Sequence, residues 1–545
     1  MREENHRAQG ERWKQASETY RSRDSPRLEE RKACVRVMPG LLSISLQDVL
    51  HGIQPAVSRE VKIATCDIHV FSISGLDLAY DGASGTLHRL DPVGREVLRW
   101  AQAHPSTLEH ALAQPESPEP APSGLLGDLS PRFLRADTEA AWAELSGLAG
   151  KTLFAQDSTI TASLRDEEDV DPLEMGLKAM CLDVAHDCNL ACAYCFASQG
   201  SFGGRPRLMT REGARAAVDF LIFASKGRKY LDVDFFGGEP LLAFDTVKEA
   251  VTYARQRGRE HGKEFRFTLT TNCTLLDDDK LVFLNGEAIS LILSVDGRPE
   301  VHDAMRRFRD GRTSHAAVLE RAKRAVESRG GRDYYLRGTY TSRNLDFDAD
   351  VRYLYEAGFR RLSLEPAVGE GEGEWGIREE DLRRMGQSYE ALARFWADSA
   401  RNEDPFEFYH FNLGLSGGLC RERRITGCGA GYEYVAVAPD GEVYPCHQLV
   451  GKQEYLLGTV SSGLTRLQLQ RRFCQARVPH KEACAQCWAR YLCGGGCHAR
   501  SVLGGRDLTQ PDPLSCRVMQ TRLEYALYAQ ILRSSLAGNH RCRVE

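Results

Sequence analysis

The sequence predicts an α/β protein built on a parallel, barrel-like sheet of six β/α units, with a metal-folded C-terminal domain behind it and a small α+β module ahead. Three observations carry this. From Lys178 to about Ala400, short apolar runs alternate six times with amphipathic helical stretches, the pattern of right-handed β–α–β crossovers. The 17 cysteines fall largely into tight groups, which in a chain of this length without an apolar signal core reads as metal ligation and not as a disulfide framework. Near the N-terminus, Ile68-His-Val-Phe-Ser-Ile, Leu76-Asp-Leu-Ala-Tyr and Thr86-Leu-His-Arg-Leu alternate apolar and polar residues between Gly-rich breaks, as a meander does.

Taken in order, residues 1–60 are expected to be a disordered extension, since Met1 to about Met38 is dense in Arg and Glu and poor in large apolar residues. Residues 66–150 form the small module: after the meander, Asp91 caps a helix at Val93–Ala103 with Pro92 in its first turn, and a second helix is expected at Ser106–Ala113. Pro115 to Pro122 reads as a linker, and Asp157 to Asp171 as an acidic loop. The barrel, 175–405, takes its strands at Cys181–Ala185, Leu231–Phe236, Phe265–Thr271, Ile289–Val295, Tyr334–Thr341 and Arg361–Glu365, with helices at Thr210–Ser225, Asp245–Arg257, Asp277–Asn285, Ser314–Arg329, Asp348–Ala357 and Glu379–Ala400. Six units fall short of the eight of a closed barrel, leaving an opening for a large substrate. The C-terminal domain spans 410–535, with a hairpin at Tyr434–Tyr444 turning on Pro439-Asp440-Gly441.

Charge is close to balanced, 71 basic against 76 acidic residues for a net −5, so no basic field points to nucleic acid. No apolar run approaches a membrane span, and the chain is expected in the cytoplasm.

The centre of the sequence is Cys188, Cys192 and Cys195 at C-x3-C-x2-C spacing. Three thiols can ligate three irons of a [4Fe–4S] cube and leave the fourth open. A structural zinc site wants four ligands, and the nearest candidate, His186, lies upstream on a strand-like run. With Tyr194 before the last cysteine, the motif resembles the signature of the radical S-adenosylmethionine (SAM) superfamily. In that superfamily SAM chelates the open iron and is cleaved to a 5′-deoxyadenosyl radical.

In parallel sheets chemistry sits at the carboxyl ends of strands. Strand two ends in Gly237-Gly238-Glu239-Pro240, where the glycines let backbone approach a ligand and Glu239 can accept from a cation such as the SAM ammonium. This resembles the superfamily's GGEP element. Strand three ends at Asn272, strand four at Ser294-Val295-Asp296-Gly297, and strand five carries Arg337. The resemblance implies ribose contacts for Ser294 and Asp296, and Arg337 is a candidate for the SAM carboxylate. Singly, each has a plainer reading: turn chemistry, a strand-end cap, a solvated arginine.

The C-terminal cysteines run Cys428-x12-Gly441-x4-Cys446, then Cys484-x2-Cys487-x5-Cys493-x3-Cys497-x18-Cys516. C-x2-C alone leaves zinc open. The whole spacing resembles the SPASM extension of peptide-modifying radical SAM enzymes, which holds two auxiliary [4Fe–4S] clusters. By that match Cys428, Cys446 and Cys497, with Cys420, belong to the first and Cys484, Cys487, Cys493 and Cys516 to the second, three clusters in all. Without Cys420 the first cluster has an open iron that a substrate thiolate could occupy.

Ala185-His-Asp-Cys-Asn-Leu, Cys195-Phe-Ala-Ser-Gln-Gly-Ser-Phe-Gly203 and Arg424-Ile-Thr-Gly-Cys-Gly-Ala-Gly-Tyr-Glu-Tyr434 are similar to the maturases that install thioether cross-links in SCIFF (six cysteines in forty-five residues) peptides. The quinohemoprotein amine dehydrogenase maturation proteins share much of the pattern. The N-terminal module resembles the winged-helix-like domain that takes a leader peptide on its sheet edge. The resemblance implies a cysteine-rich precursor peptide as partner and a flavodoxin- or ferredoxin-like electron donor. Two rivals stand: oxidation of a Cys or Ser side chain to formylglycine, and a non-catalytic iron–sulfur or zinc scaffold that binds a peptide.

Overall fold

The structure, a computed structural model, describes residues 42–43, 67–107, 120–149, 151–154, 175–367, 373–415, 425 and 427–539. The expected helix at Ser106–Ala113, the linker, the acidic loop and Cys420 fall wholly or largely outside these residues.

All six barrel strands form where the apolar runs place them: Ala179–His186, Tyr230–Gly237, Glu264–Thr271, Ser290–Ser294, Tyr334–Tyr340 and Arg361–Pro366, parallel and in sequence order. Along strand two Leu231, Val233 and Phe235 are buried against the helices, while Asp232, Asp234 and Phe236 between them are half-buried. Strand three repeats this, with Thr268 and Thr270 on the inner face, and strand five puts Tyr335 and an exposed Arg337 there. A closed barrel fills its interior with branched apolar side chains. Here the inner face is polar and accessible, so the sheet wraps a space instead of a core.

The sheet does not stop at six strands. Glu407–Phe408 adds in parallel beyond strand six. At the opposite edge Tyr434–Val437 adds in parallel to strand one, Tyr434 opposite Ala179 and Val437 opposite Leu182. The expected hairpin is present, Tyr434–Val437 paired with Glu442–Tyr444 and Gly441 at φ +85° in its turn. Its first strand at once extends the parallel sheet of the barrel beyond strand one. The reason lies in strand one, whose inner and outer faces are buried throughout; its open edge has to be covered.

The N-terminal meander forms as expected, with Asp91 capping the helix Pro92–Ala103 through Gly94 N at 2.6 Å. Two further helices, Ser123–Leu129 and Arg135–Leu148, close a separate core of Leu98, Leu125, Trp142 and Leu145 under it. Leu42–Ser43 pairs antiparallel with Thr86–Leu90. The module is docked on the C-terminal domain. Asp67 accepts from Arg490 at 2.5 and 2.7 Å in a buried ion pair, and His69 stacks on Trp488 at 4.2 Å.

The long helix Pro513–Asn539 returns from the C-terminal domain to pack along Leu382–Arg401, so close that a Cβ on Gly386 would stand 2.9 Å from the Tyr525 hydroxyl. It is pinned to the end of strand six by Arg522, which donates to Glu365 at 2.9 Å.

Candidate functional site

Strand one delivers the chain to Cys188 at the carboxyl end of the sheet. Leu190–Cys192 then pairs antiparallel with Arg306–Phe308, Cys192 opposite Arg306, and Ala193 N donates to Met305 O at 2.8 Å. The loop turns back over Gly200 (φ +92°), where an added Cβ would lie 2.8 Å from Cys188 Cβ. Gly238 of the strand-two motif is as tightly held, its would-be Cβ 2.2 Å from Asp187 O. The expected backbone approach of the glycines is therefore real, but what they approach is the cysteine loop.

The three thiols of the loop lie within electrostatic reach of one another. Cys188 is 8% exposed, and its sulfur accepts from Leu190 N at 3.4 Å and Asn272 Nδ2 at 3.7 Å. Burial pushes its thiol up to about 12 and that of Cys192 to about 11. Amide donors aimed at a sulfur that burial would otherwise keep protonated fit a metal-bound thiolate, because a bound cation removes the proton outright.

The strand ends meet at this loop. Asn272 holds Cys188 and Asn189, its Nδ2 donating to Asn189 Oδ1 at 2.9 Å. The Glu239 carboxylate is fully buried and already accepts from Leu241 N (3.1 Å), Thr271 Oγ1 (2.8 Å) and Asn272 N (2.7 Å). Burial raises it to about 7 against those bonds. It ties strand ends two and three together.

Asp296 is likewise buried and engaged. It accepts from Arg306 Nε at 3.0 Å on both oxygens, from Thr339 N at 2.9 Å and from the Tyr194 hydroxyl. Ser294 and Arg337 stand side by side in register on the inner face, Ser294 half-buried and Arg337 exposed. Both remain open to a ligand. On the neighbouring strand, where Ser363 is Arg337's own partner, Glu365 stands two residues further on, opposite Thr339. Burial raises its carboxyl, but His410, Arg522 and Arg337 outweigh burial and hold it at about 2. Burial lowers His410 to about 3 and keeps it neutral, so the charges holding Glu365 ionised are the two guanidinia.

Several of the described C-terminal cysteines lie within electrostatic reach of one another. Cys446 feels Cys497 and Cys428, and Cys516 feels Cys493, Cys484 and Cys487. Burial raises the thiols of Cys446, Cys484, Cys493 and Cys516, Cys484 to about 11 and Cys516 to about 12. In the first group Cys428 and Cys497 are exposed, and in the second Gln520 Nε2 donates to Cys487 Sγ at 3.5 Å. Among the described residues no three His, Cys, Asp or Glu side chains close around one point as a single ion requires, and thiols at separate corners of an iron–sulfur cube have no need to.

Sequence reasoning missed Arg306, Arg522 and Trp488. No local signal marks any of them: Arg306 is one of four arginines between 306 and 312, and only the pairing with Cys192 singles it out.

Residues 183–341 match the family model of the radical SAM superfamily, and residues 428–488 match that of the SPASM iron–sulfur cluster-binding domain. The chain is 28% identical over 355 residues to the mycofactocin maturase MftC of Mycolicibacterium smegmatis, a match spanning 63% of this chain and 84% of that one. It is 25% identical over 324 residues to the cysteine-type anaerobic sulfatase-maturating enzyme of Clostridium perfringens, spanning 57% and 85%. The solved structure of native anSMEcpe with bound AdoMet superposes with a TM-score of 0.55 at 21% identity over 66% of this chain and 99% of that chain, which shows a common fold. With both domains matched and the three-cysteine loop at the carboxyl end of the sheet, the chain is a radical SAM enzyme carrying a SPASM iron–sulfur domain.

Proposed function

We propose that this enzyme forms cysteine-to-carbon thioether cross-links in a ribosomally made, cysteine-rich peptide of the SCIFF type, with three [4Fe–4S] clusters. Cys188, Cys192 and Cys195 hold the first; Cys428, Cys446 and Cys497, with Cys420, the second; Cys484, Cys487, Cys493 and Cys516 the third. When bound, SAM and these clusters supply a radical able to take hydrogen from an unactivated carbon and a one-electron path for the surplus electron, a flavodoxin or ferredoxin being the donor.

The chain's own residues do the rest. Ser294 and Arg337 bind SAM from the inner face, Arg337 through the carboxylate. The polar inner face, from Thr268 and Thr270 round to Tyr335, holds an extended peptide backbone. The observation that carries the reading is the first auxiliary group, where Cys428 and Cys497 are exposed: a thiol of the peptide can approach that group directly. The N-terminal module takes the leader as an added strand, as Leu42–Ser43 is added within this chain. Its docking on Trp488, beside Cys487, brings such a leader to the auxiliary side of the barrel.

A second reading, oxidation of a peptide cysteine to formylglycine, is favoured by the likeness to the cysteine-type sulfatase-maturating enzyme. Mass separates them. A thioether removes two hydrogens and lowers the peptide by about 2 Da while consuming an alkylatable thiol, whereas formylglycine from cysteine lowers it by about 18 Da. Mass spectrometry after incubation with SAM, reductant and a cysteine-containing peptide, with and without alkylation, decides; a product that keeps every alkylatable cysteine defeats the thioether reading.

A further inference from the structure

We propose that Arg306 is a positioning residue of the cysteine loop, holding Cys192 in place and setting how readily the cluster bound there accepts an electron. The proposal rests on the reading of Cys188, Cys192 and Cys195 as cluster ligands.

The geometry is specific. Arg306 pairs with Cys192 across the two short strands, and its side chain, 11% exposed, turns inward. Its guanidinium lies within electrostatic reach of the Cys192 sulfur, meets both Asp296 oxygens through Nε at 3.0 Å, and lies 5.4 Å over the Tyr194 ring. One side chain thus faces two of the three residues Cys192, Tyr194 and Cys195 that close the motif.

The far end of the clamp is itself fixed. Asp296 is anchored on Thr339 N, and Asp296 N donates to His302 Nδ1 at 3.3 Å. His302 Nε2 meets the Ser314 hydroxyl at 3.0 Å, and Asp303 accepts from Ser314 N and His315 N, each at 2.9 Å. The helix Pro299–Met305, which leads into Arg306, is therefore fixed at His302 and Asp303.

The electrostatics follow. Reducing a cluster adds one negative charge, so a buried cation against a ligating thiolate favours the reduced state, the more so away from solvent screening. Asp296 opposes part of that effect. Removing the guanidinium takes away the favourable charge and also leaves a buried carboxylate facing the cluster, so both changes disfavour reduction.

The test uses the full-length chain, reconstituted anaerobically, as wild type, Arg306→Lys, Arg306→Gln and the Arg306→Gln/Asp296→Asn pair. Iron per chain, far-UV circular dichroism and an EPR-monitored reductive titration without SAM are read for each. Arg306→Gln is expected to keep its fold and its auxiliary-cluster signals. At the loop it either loses its cluster or shows a reduction equilibrium constant at least tenfold lower, about 59 mV for a one-electron couple. Arg306→Lys keeps the charge and stays within a few-fold of wild type. If Arg306→Gln fails to fold, the paired variant, which buries no lone charge, is read in its place and is expected to retain the lowered equilibrium. Wild-type iron with an equilibrium constant within twofold of wild type, in whichever of these variants folds, overturns the proposal. A wild type that loses no iron when Cys188, Cys192 and Cys195 are replaced sinks the ligand assignment itself, and the proposal with it.

Discussion

Replacing Gly238 by Ala tests whether the strand-two glycines serve the cysteine loop. The added Cβ would sit 2.2 Å from Asp187 O and 2.8 Å from Gly200 Cα. A carbon and a carbonyl oxygen in contact settle at roughly 3.3 Å or more, so the carbonyl has to retreat by roughly 1.1 Å. It cannot do so freely, because Asp187 O accepts from Glu239 N at 2.9 Å and the next residue is Cys188. Straining that bond costs about 0.5–1.5 kcal/mol, and the overpacking about 1–3 kcal/mol more. The larger consequence is positional: a ligand constellation tolerates about 0.5 Å of misplacement, and this shift exceeds it at the first of three thiols. Gly238→Ala is therefore expected to lose roughly four irons on anaerobic reconstitution, one cube's worth, together with SAM cleavage, while the auxiliary signals persist in the EPR spectrum. A variant with the wild-type iron count and wild-type 5′-deoxyadenosine yield would show that the loop does not lean on Gly238.

Glu365→Gln leaves Arg522, with 11% of its side chain exposed, without the carboxylate it donates to, and is expected to destabilise by about 3–5 kcal/mol in calorimetric unfolding. The Glu365→Leu/Arg522→Met pair should recover most of that loss, and a single variant as stable as wild type would refute the pinning role of this ion pair. For Glu239 the pH dependence has a definite sign. Its carboxyl sits at about 7 in the native chain against an ordinary 4.5, so the native state binds the proton more tightly. Stability from this group is full below the ordinary value and is lost as pH rises through about 7, by about 3 kcal/mol across the window. Denaturant titrations of the metal-free chain at about pH 4.5 and about pH 8 should show that loss in wild type and not in Glu239→Gln; parallel behaviour of the two would count against it.

What the sequence made legible was whatever repeats or clusters along the chain. Six strand and helix alternations needed only periodicity, and the place of the cysteine loop at the carboxyl end of strand one needed only the apolar run before it. What it hid was partnership across distance. Asp296 and Glu239 stand at strand ends where a ligand would be expected, and side-chain type alone cannot tell a carboxylate waiting for a ligand from one already spent on a neighbour. Glu239 is spent because the ends of strands two and three have to be tied with no water to satisfy them, and the Asn272 and Leu241 amides point at it. Asp296 is spent because the loop brings Tyr194 and Arg306 to the same point from opposite directions. The same logic hid the shared strand at Tyr434–Val437: a hairpin read from its turn says nothing of which sheet its outer edge will join, and strand one, buried on both faces, has one edge to cover. Through that strand Glu442–Tyr444, which ends two residues before Cys446, joins the same sheet as strand one, which ends two residues before Cys188, one strand away and running antiparallel to it. The stretches that lead to Cys446 and to Cys188 are thus held by the pairing of one continuous sheet.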